Sequence, residues 1–172
     1  MKFVISLAVL ALLSADRVCG FKWLKKRDSE RIPARECLTP SCRNVFEPVM
    51  DILGTPALEL LIQDGRLSLD CSRQNLDRAD KCTNPSSFLC ASPYQIQLKL
   101  NTALNIFCRN EADIEKEASC WTSGNVIGAI ISCYDGDREV YGACAQQSVG
   151  NLQGCSTTTG AIVRQLVLAL VD

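Results

Sequence analysis

Apolar residues recur along most of the chain at the three- and four-residue spacing of amphipathic helices. The longest stripe follows Ser92-Pro93 and runs to Cys108, with apolar positions at Ile96, Leu100, Ala103, Leu104 and Phe107. A serine followed by proline is a typical helix start, because the serine can cap the helix and the fixed φ of proline suits its first turn. The pattern predicts a long helix here.

Two more helices are predicted upstream of this stripe. One starts at Thr55-Pro56 and continues to Gly65, with apolar residues at helical spacing in Leu58, Leu61 and Ile62. The other starts at Ser68. Its apolar residues Leu69, Leu76 and Ala79 are expected to face the core, and charged residues lie between them.

A fourth helical segment is predicted after the stripe. It opens with the acidic residues Glu111, Asp113, Glu115 and Glu117, which complement the positive end of a helix dipole. It then carries Cys120 and Trp121 towards an isoleucine-rich stretch of Ile127, Ile130 and Ile131. Glycines are poor helix formers, so a break or bend is expected at Gly124 and Gly128.

The last apolar stretch, Ala161 to Val171, is interrupted only by Arg164 and Gln165. It is compatible with a short final helix or with a strand. Elsewhere, alternating runs rich in valine and threonine are sparse. The predicted fold class is therefore all-α, a disulfide-stapled helical bundle that ends in a helix or in a short irregular or extended segment.

The first residues have the pattern of a secretory signal peptide. Lys2 precedes an apolar run from Phe3 to Leu13, which is too short for the ~20 residues that span a bilayer. Cleavage after Ala15 or after Gly20 fits the pattern, and the later cut also removes Cys19. We therefore divide the chain into a signal peptide (1–20), a basic arm (21–36) and a cysteine-rich helical domain (37–172).

Cleavage after Gly20 leaves an even number of cysteines, as expected for a disulfide framework on an exported chain. The predicted disulfide cysteines are Cys37, Cys42, Cys71, Cys82, Cys90, Cys108, Cys120, Cys133, Cys144 and Cys155. Spacing leaves their pairing open. Three intervals of 11 residues (71–82, 133–144 and 144–155) are close to three helical turns, so such pairs are expected to share one helix and to bridge to other helices. The region from Gly150 to Gly160 is expected to interrupt the last interval.

Composition removes several function classes. The chain of 172 residues has 11 cysteines and no histidine, so it has no Ser-His-Asp triad, no Cys-His pair and no histidine-containing zinc site. With a net charge of −1, the chain lacks the excess of basic residues that is typical of a general nucleic-acid binder. The arm carries +3 and residues 37–172 carry −5, so the arm is expected to be a solvated tail or a tether for sulfated glycans.

Three short motifs are candidates for chemistry. Asp135-Gly136-Asp137 lacks the remaining ligands of a calcium loop and is expected to be a plain turn. The acids of residues 111–117 are a solvated helix start or, alternatively, a carboxylate pair for catalysis, with Asp113 and Glu115 as candidates. Ser123-Gly124 is the minimal acceptor for a glycosaminoglycan chain. We therefore expect no catalytic residue, no cofactor and no metal, with Trp121 as core packing beside a disulfide.

The cysteine order resembles a group of small secreted nematode domains, namely the chondroitin proteoglycan 4 domain and the related cysteine-rich helical family called domain of unknown function 19. The resemblance covers residues 37–155: an early pair (Cys37 and Cys42), a leucine-rich helix over Val45 to Leu61, and the later cysteines, with Phe107-Cys108 among them. It implies an all-helical, disulfide-bonded extracellular domain without catalytic activity. Family members carry chondroitin on Ser-Gly sites in extended regions, which this chain lacks.

Three functions from different classes follow. The leading hypothesis is a secreted, non-enzymatic matrix protein or binding module whose partner is an unknown extracellular protein or glycan. The alternative is an extracellular carrier of a lipid or another small ligand, because a helical bundle lined by leucine, isoleucine and phenylalanine can enclose an apolar cavity. The third is an enzyme that uses only carboxylates. No nucleic acid and no membrane span are expected.

Overall fold

The protein is a disulfide-stapled helical bundle, as predicted. The computed structural model describes residues 40–54, 58–83 and 91–171. The predicted signal peptide and basic arm, the Thr55-Pro56 helix start, Cys37 and Cys90 lie outside these ranges. Eight α-helices are described: α1 (Pro40–Gly54), α2 (Arg73–Lys81), α3 (Ala91–Arg109), α4 (Glu111–Lys116), α5 (Ala118–Trp121), α6 (Asn125–Ile131), α7 (Arg138–Gly150) and α8 (Thr157–Leu170).

The long helix predicted from the apolar stripe is α3. Four of its stripe positions are buried (Leu100, Ala103, Leu104 and Phe107), and the fifth, Ile96, packs against the core from a partly buried position. Helix α3 contacts α1 and α2 on one side and α8 on the other. It is therefore the element on which the first and the last of the described helices meet.

The helix predicted over residues 55–65 is wrong. Leu58–Leu61 forms a short 3-10 helix, and a two-stranded antiparallel hairpin follows, with β1 (Ile62–Gln63) paired to β2 (Arg66–Leu67). Asp64 and Gly65 make its turn with φ of 53° and 76°. Aspartate followed by glycine is a strong hairpin signal, because both central residues of such a turn need positive φ. The three apolar residues still face inward, although in a different backbone geometry.

The start of α2 also differs from the prediction. Its cap is Ser72 rather than Ser68, and the Ser72 side chain accepts the N–H of Asn75 at 3.3 Å. Of the predicted inward positions, Leu69 is buried in the loop before α2, Ala79 is fully buried within it, and Leu76 is partly buried.

The predicted acidic helix is broken into α4, α5 and α6. The first break lies at Glu117, and the second lies at Gly124, whose φ of 70° is left-handed. Gly128 lies within α6 and does not break it. Trp121 is 1% exposed beside the fully buried Cys120, which agrees with the expectation that it packs in the core.

The C-terminal stretch is a helix, so the strand alternative is wrong. Helix α8 packs along α7, and this is the most extensive contact between any two described elements. Their backbones approach most closely at Gly160, where a Cβ would lie 2.3 Å from the carbonyl oxygen of Gln146. The loop between the helices interrupts the 144–155 interval, as expected.

Four disulfides are described, and each joins two different elements. They are Cys42–Cys82, Cys71–Cys108, Cys120–Cys155 and Cys133–Cys144. The last pair contradicts the expectation that cysteines 11 residues apart share one helix. Cys133 follows α6, the chain reverses at Gly136 (φ 86°), and Cys144 lies within α7, so the Cα atoms come within 5.5 Å.

The chain forms two covalently tied halves that meet through packing. Two bridges tie α1, both ends of α2 and the end of α3, and the other two tie α5, α6, α7 and the start of α8. Among the described residues no disulfide crosses between these halves. They meet where α3 packs on α8, where the Lys99 ammonium donates to the carbonyl of Leu170 at 3.0 Å, and where Glu115 accepts the N–H of Leu67 at 3.0 Å.

Glu117 caps the last helix from outside it. Its carboxylate accepts the Ser156 N–H at 2.9 Å and the hydroxyls of Ser156 and Thr159. Burial acts to raise the pKa of this carboxyl, but the hydrogen bonds from Ser156 and Thr159 outweigh it and hold the pKa below the ordinary value. The carboxylate satisfies orphan donors at the positive end of α8, which is a stabilising arrangement.

The close contact of α7 and α8 predicts a large difference between two glycine substitutions. Gly160→Ala forces a methyl group into backbone and should cost at least about 2 kcal/mol of unfolding free energy. Gly142→Ala is the matched control on α7, because its Cβ would meet only the Arg164 and Leu168 side chains at 3.3 Å. Gain of helix propensity should keep that variant within about 1 kcal/mol of wild type. Urea unfolding of the oxidised proteins measures both, and equal losses would contradict the assigned contact.

The cap predicts a pH-dependent loss for Glu117→Gln. Because the folded pKa is lowered, the carboxylate stabilises the fold above its ordinary pKa of 4.5, and this contribution disappears as the pH falls through the folded pKa. We expect Glu117→Gln to lower the unfolding free energy by about 1 kcal/mol at pH 7 and by progressively less as the pH falls below 4.5. Glu111→Gln, at an exposed position, is the control with the smaller effect. A Glu117→Gln penalty independent of pH would contradict the charged cap.

Candidate functional site

An open cleft of about 350 Å³ lies between α1 and α2 in the N-terminal half. Three elements form its walls, and its floor reaches the buried Leu104 of α3. Its wall residues are Ser41, Asn44, Val45 and Pro48 from α1, Leu69 and Asp70 from the loop before α2, and Asn75 and Arg78 from α2.

The α1 wall follows from helical spacing. Residues three and four apart lie on one helix face, so Ser41, Asn44, Val45 and Pro48 form one strip. Val45 is 5% exposed and points to the floor, whereas Asn44 and Pro48 are exposed at the rim. Pro48 has no N–H, so the helical hydrogen bond that would end on the carbonyl of Asn44 is missing. The rim therefore combines the apolar ring of Pro48 with the backbone carbonyl and the side-chain amide of Asn44.

The opposite wall carries an ionised carboxylate. Asp70 accepts the N–H of Ser72 at 2.9 Å, and its carbonyl accepts the Asn75 side-chain N–H at 2.7 Å. The hydrogen bonds from the Ser72 backbone and hydroxyl hold the pKa of Asp70 below its ordinary value, with a further contribution from the charge of Arg78. Asp70 is thus negative at neutral pH and held in orientation at the cleft by its hydrogen bonds to Ser72.

Two exposed polar side chains complete the rim. These are Asn44 on α1 and Arg78 on α2. Over residues 40–54, 58–83 and 91–171, neither side chain takes part in a protein hydrogen bond or ion pair. An amide and a guanidinium supply donors and an acceptor, so the cleft offers both kinds of group at its mouth.

The two N-terminal disulfides bracket this cleft. Cys42 directly follows Ser41 and is joined to Cys82, whose N–H bonds to the carbonyl of Arg78 at 3.1 Å. Cys71 directly follows Asp70 and is joined to Cys108, one helical turn beyond Leu104. Each wall is therefore covalently tied within a few residues of its polar groups, which limits how far the cleft can deform.

The acidic segment singled out in the sequence uses two of its carboxylates as hydrogen-bond acceptors for other elements. Glu115 accepts a hydrogen bond from the Leu67 N–H of β2, whereas Glu117 caps α8. Glu111 and Asp113 are exposed in the first turn of α4, as expected of a solvated helix start. Two of the four acids are thus structural groups rather than members of a carboxylate pair.

The Asp135-Gly136-Asp137 motif is a turn, as predicted. Asp137 caps α7 by accepting the N–H groups of Glu139 at 2.8 Å and Val140 at 3.1 Å. Within the described ranges, no group of three or more cysteine, aspartate or glutamate side chains is arranged to hold a metal ion.

Ser123, the candidate glycosaminoglycan acceptor, is exposed in the turn between α5 and α6. Its hydroxyl oxygen accepts the N–H of Asn125 at 3.3 Å, and Gly124 next to it is also exposed. Ser123 therefore lies at the surface, although the nearby Cys120 and Trp121 are buried.

Sequence reasoning missed the cleft. Its polar residues come from α1, from a loop and from α2, and no local spacing connects them. The one available signal was indirect: Cys42 and Cys71 stand directly after Ser41 and Asp70, so any bridge made by these cysteines places the neighbouring polar residues at an element junction.

The described helices include none with the length and apolar character required to cross a membrane. Comparison of the chain with models of protein families, with curated proteins and with solved structures finds no match. The four bridges make the protein a small, cysteine-rich, disulfide-bonded chain of the kind typical of extracellular proteins.

Proposed function

We propose that the protein is a secreted, non-enzymatic extracellular binding module that holds its ligand or partner at the cleft between α1 and α2. The observation that carries this proposal is the pair of disulfides, Cys42–Cys82 and Cys71–Cys108, which tie both walls of an open cleft with a polar rim. A rigid cleft loses little conformational entropy when a ligand binds, which favours affinity.

The geometry supports a binder over the other two function classes. Of the two carboxylates offered for catalysis, Glu115 is engaged by the N–H of Leu67, whereas Asp113 is exposed in the first turn of α4. The cleft has Asp70 and Arg78 at its rim, and burial of charged groups against an acyl chain would be costly. A polar ligand therefore suits this site better than the lipid of the carrier hypothesis.

The relationship to the nematode chondroitin proteoglycan and domain of unknown function 19 families is also a proposal. The exposure of Ser123 and Gly124 supports access by a glycosyltransferase. Secreted protein treated with chondroitinase should lose mass if a chain is attached at Ser123, and Ser123→Ala should abolish that loss. An unchanged mass would remove the proteoglycan role and leave the binding role intact.

The secretion proposal predicts an oxidised protein in the medium. Expression of the full chain in animal cells should release protein that starts at Phe21, with no thiol that reacts before reduction. Reduction should add about two daltons for each disulfide, hence about ten for the predicted ten paired cysteines, of which the four described bridges account for about eight. Intact mass spectrometry measures the shift.

The matched control replaces both members of one bridge. Cys71→Ser with Cys108→Ser should reduce the shift by about two daltons and leave no reactive thiol. Retention of the protein inside the cell with its signal peptide uncleaved, or several reactive thiols in the secreted protein, would contradict the proposal.

A further inference from the structure

We propose that the cleft between α1 and α2 binds a neutral saccharide unit. This inference rests on the proposed binding function and names the class of its ligand. It is carried by the juxtaposition of Asp70, Arg78, Asn44 and Asn75 around an apolar floor.

The charges around the cleft favour a neutral ligand. One carboxylate, Asp70, and one guanidinium, Arg78, face the same space, and Arg78 acts electrostatically on Asp70. A strongly anionic ligand would meet Asp70, and a cationic ligand would meet Arg78. Like charges at short range are unfavourable, so the balanced pair selects against both.

The number of polar side chains favours a polyol over a free amino acid. An α-amino acid presents two charged ends, which Asp70 and Arg78 alone would satisfy. The cleft adds the amide of Asn44 and that of Asn75, although one N–H of the latter already bonds to the carbonyl of Asp70. A sugar hydroxyl both donates and accepts, so neighbouring hydroxyls can use carboxylate, amide and guanidinium groups together. Bonds to the charged groups are the stronger ones.

The floor and the size of the cleft fit the same ligand. Leu69 and Leu104 are buried at 7% and 1% exposure, and the Pro48 ring lies at the rim. This apolar surface matches the C–H face of a pyranose ring, which polar side chains then hold at its edge. A volume of about 350 Å³ is at the small end of ligand sites, so it accommodates about one or two sugar rings.

The test uses the secreted, oxidised full chain and a panel of neutral hexoses, N-acetylhexosamines and their disaccharides. Saturation-transfer NMR detects binding, and titration calorimetry measures it. A ligand of this size should bind with a dissociation constant of about 1 mM. Arg78→Ala should weaken binding about tenfold or more, and Asn44→Ala about threefold, because each removes a hydrogen-bonding group from the rim. Both side chains are exposed, so the fold should tolerate their truncation.

Arg73→Ala is the matched control, because Arg73 is also exposed on α2 but does not line the cleft. It should leave the affinity unchanged, and thermal unfolding should show all three variants as stable as wild type. Failure of every saccharide in the panel, equal affinity in Arg78→Ala and Arg73→Ala, or binding of a free amino acid without any saccharide would each overturn the inference. Secreted, oxidised protein that binds a free amino acid and no saccharide contradicts the ligand class alone, whereas retention in the cell or reactive thiols contradict the proposed function.

Discussion

The disulfides are the constraint on which the rest of the structure depends. Seven of the eight cysteines in the four described bridges lie within two residues of a helix end; the exception is Cys144, in the middle of α7. Several of the helices they hold are shorter than the ~12–15 residues at which an isolated helix is even marginal in water. By loop-closure entropy, bridges with separations of 35, 37 and 40 residues contribute about 4 kcal/mol each. The cross-links therefore replace the helix length and core size that a bundle without disulfides would need.

The disulfides have different effects in the two halves. In the C-terminal half, the bridges accompany close packing: Gly160 lets the backbones of α7 and α8 touch, and Glu117 neutralises the start of α8 from a different element. In the N-terminal half, the bridges hold α1 and α2 around a cleft that side chains do not fill. The C-terminal half thus gains stability from burial, whereas in the N-terminal half the disulfides hold the walls of the cleft in place. That difference agrees with the exposed polar side chains at the cleft, such as Asn44 and Arg78, which make no hydrogen bond within the described ranges.

Elements governed by local physics were predictable, and elements governed by a reversal of the chain were not. The α3 stripe follows from periodicity alone, and most of its apolar positions are buried as predicted. The Thr55-Pro56 to Gly65 prediction failed because Leu58, Leu61 and Ile62 satisfy a helical spacing while Asp64-Gly65 favours positive φ and closes a hairpin. The 11-residue interval from Cys133 to Cys144 matches three helical turns. The chain nevertheless reverses at Gly136 within this interval, and the reversal brings the two cysteines together.

By itself, the sequence determined that this chain is helical, cross-linked and free of histidine-dependent chemistry, because periodicity, cysteine number and composition are local or additive properties. The tertiary structure alone decided which cysteines pair, that Glu115 and Glu117 are structural acceptors, and that residues from three elements form a cleft. Each of these depends on contacts between positions far apart in the chain, and the free energy of such contacts is defined only once the helices have packed. The cleft depends in the same way on two long-range pairings, Cys42–Cys82 and Cys71–Cys108.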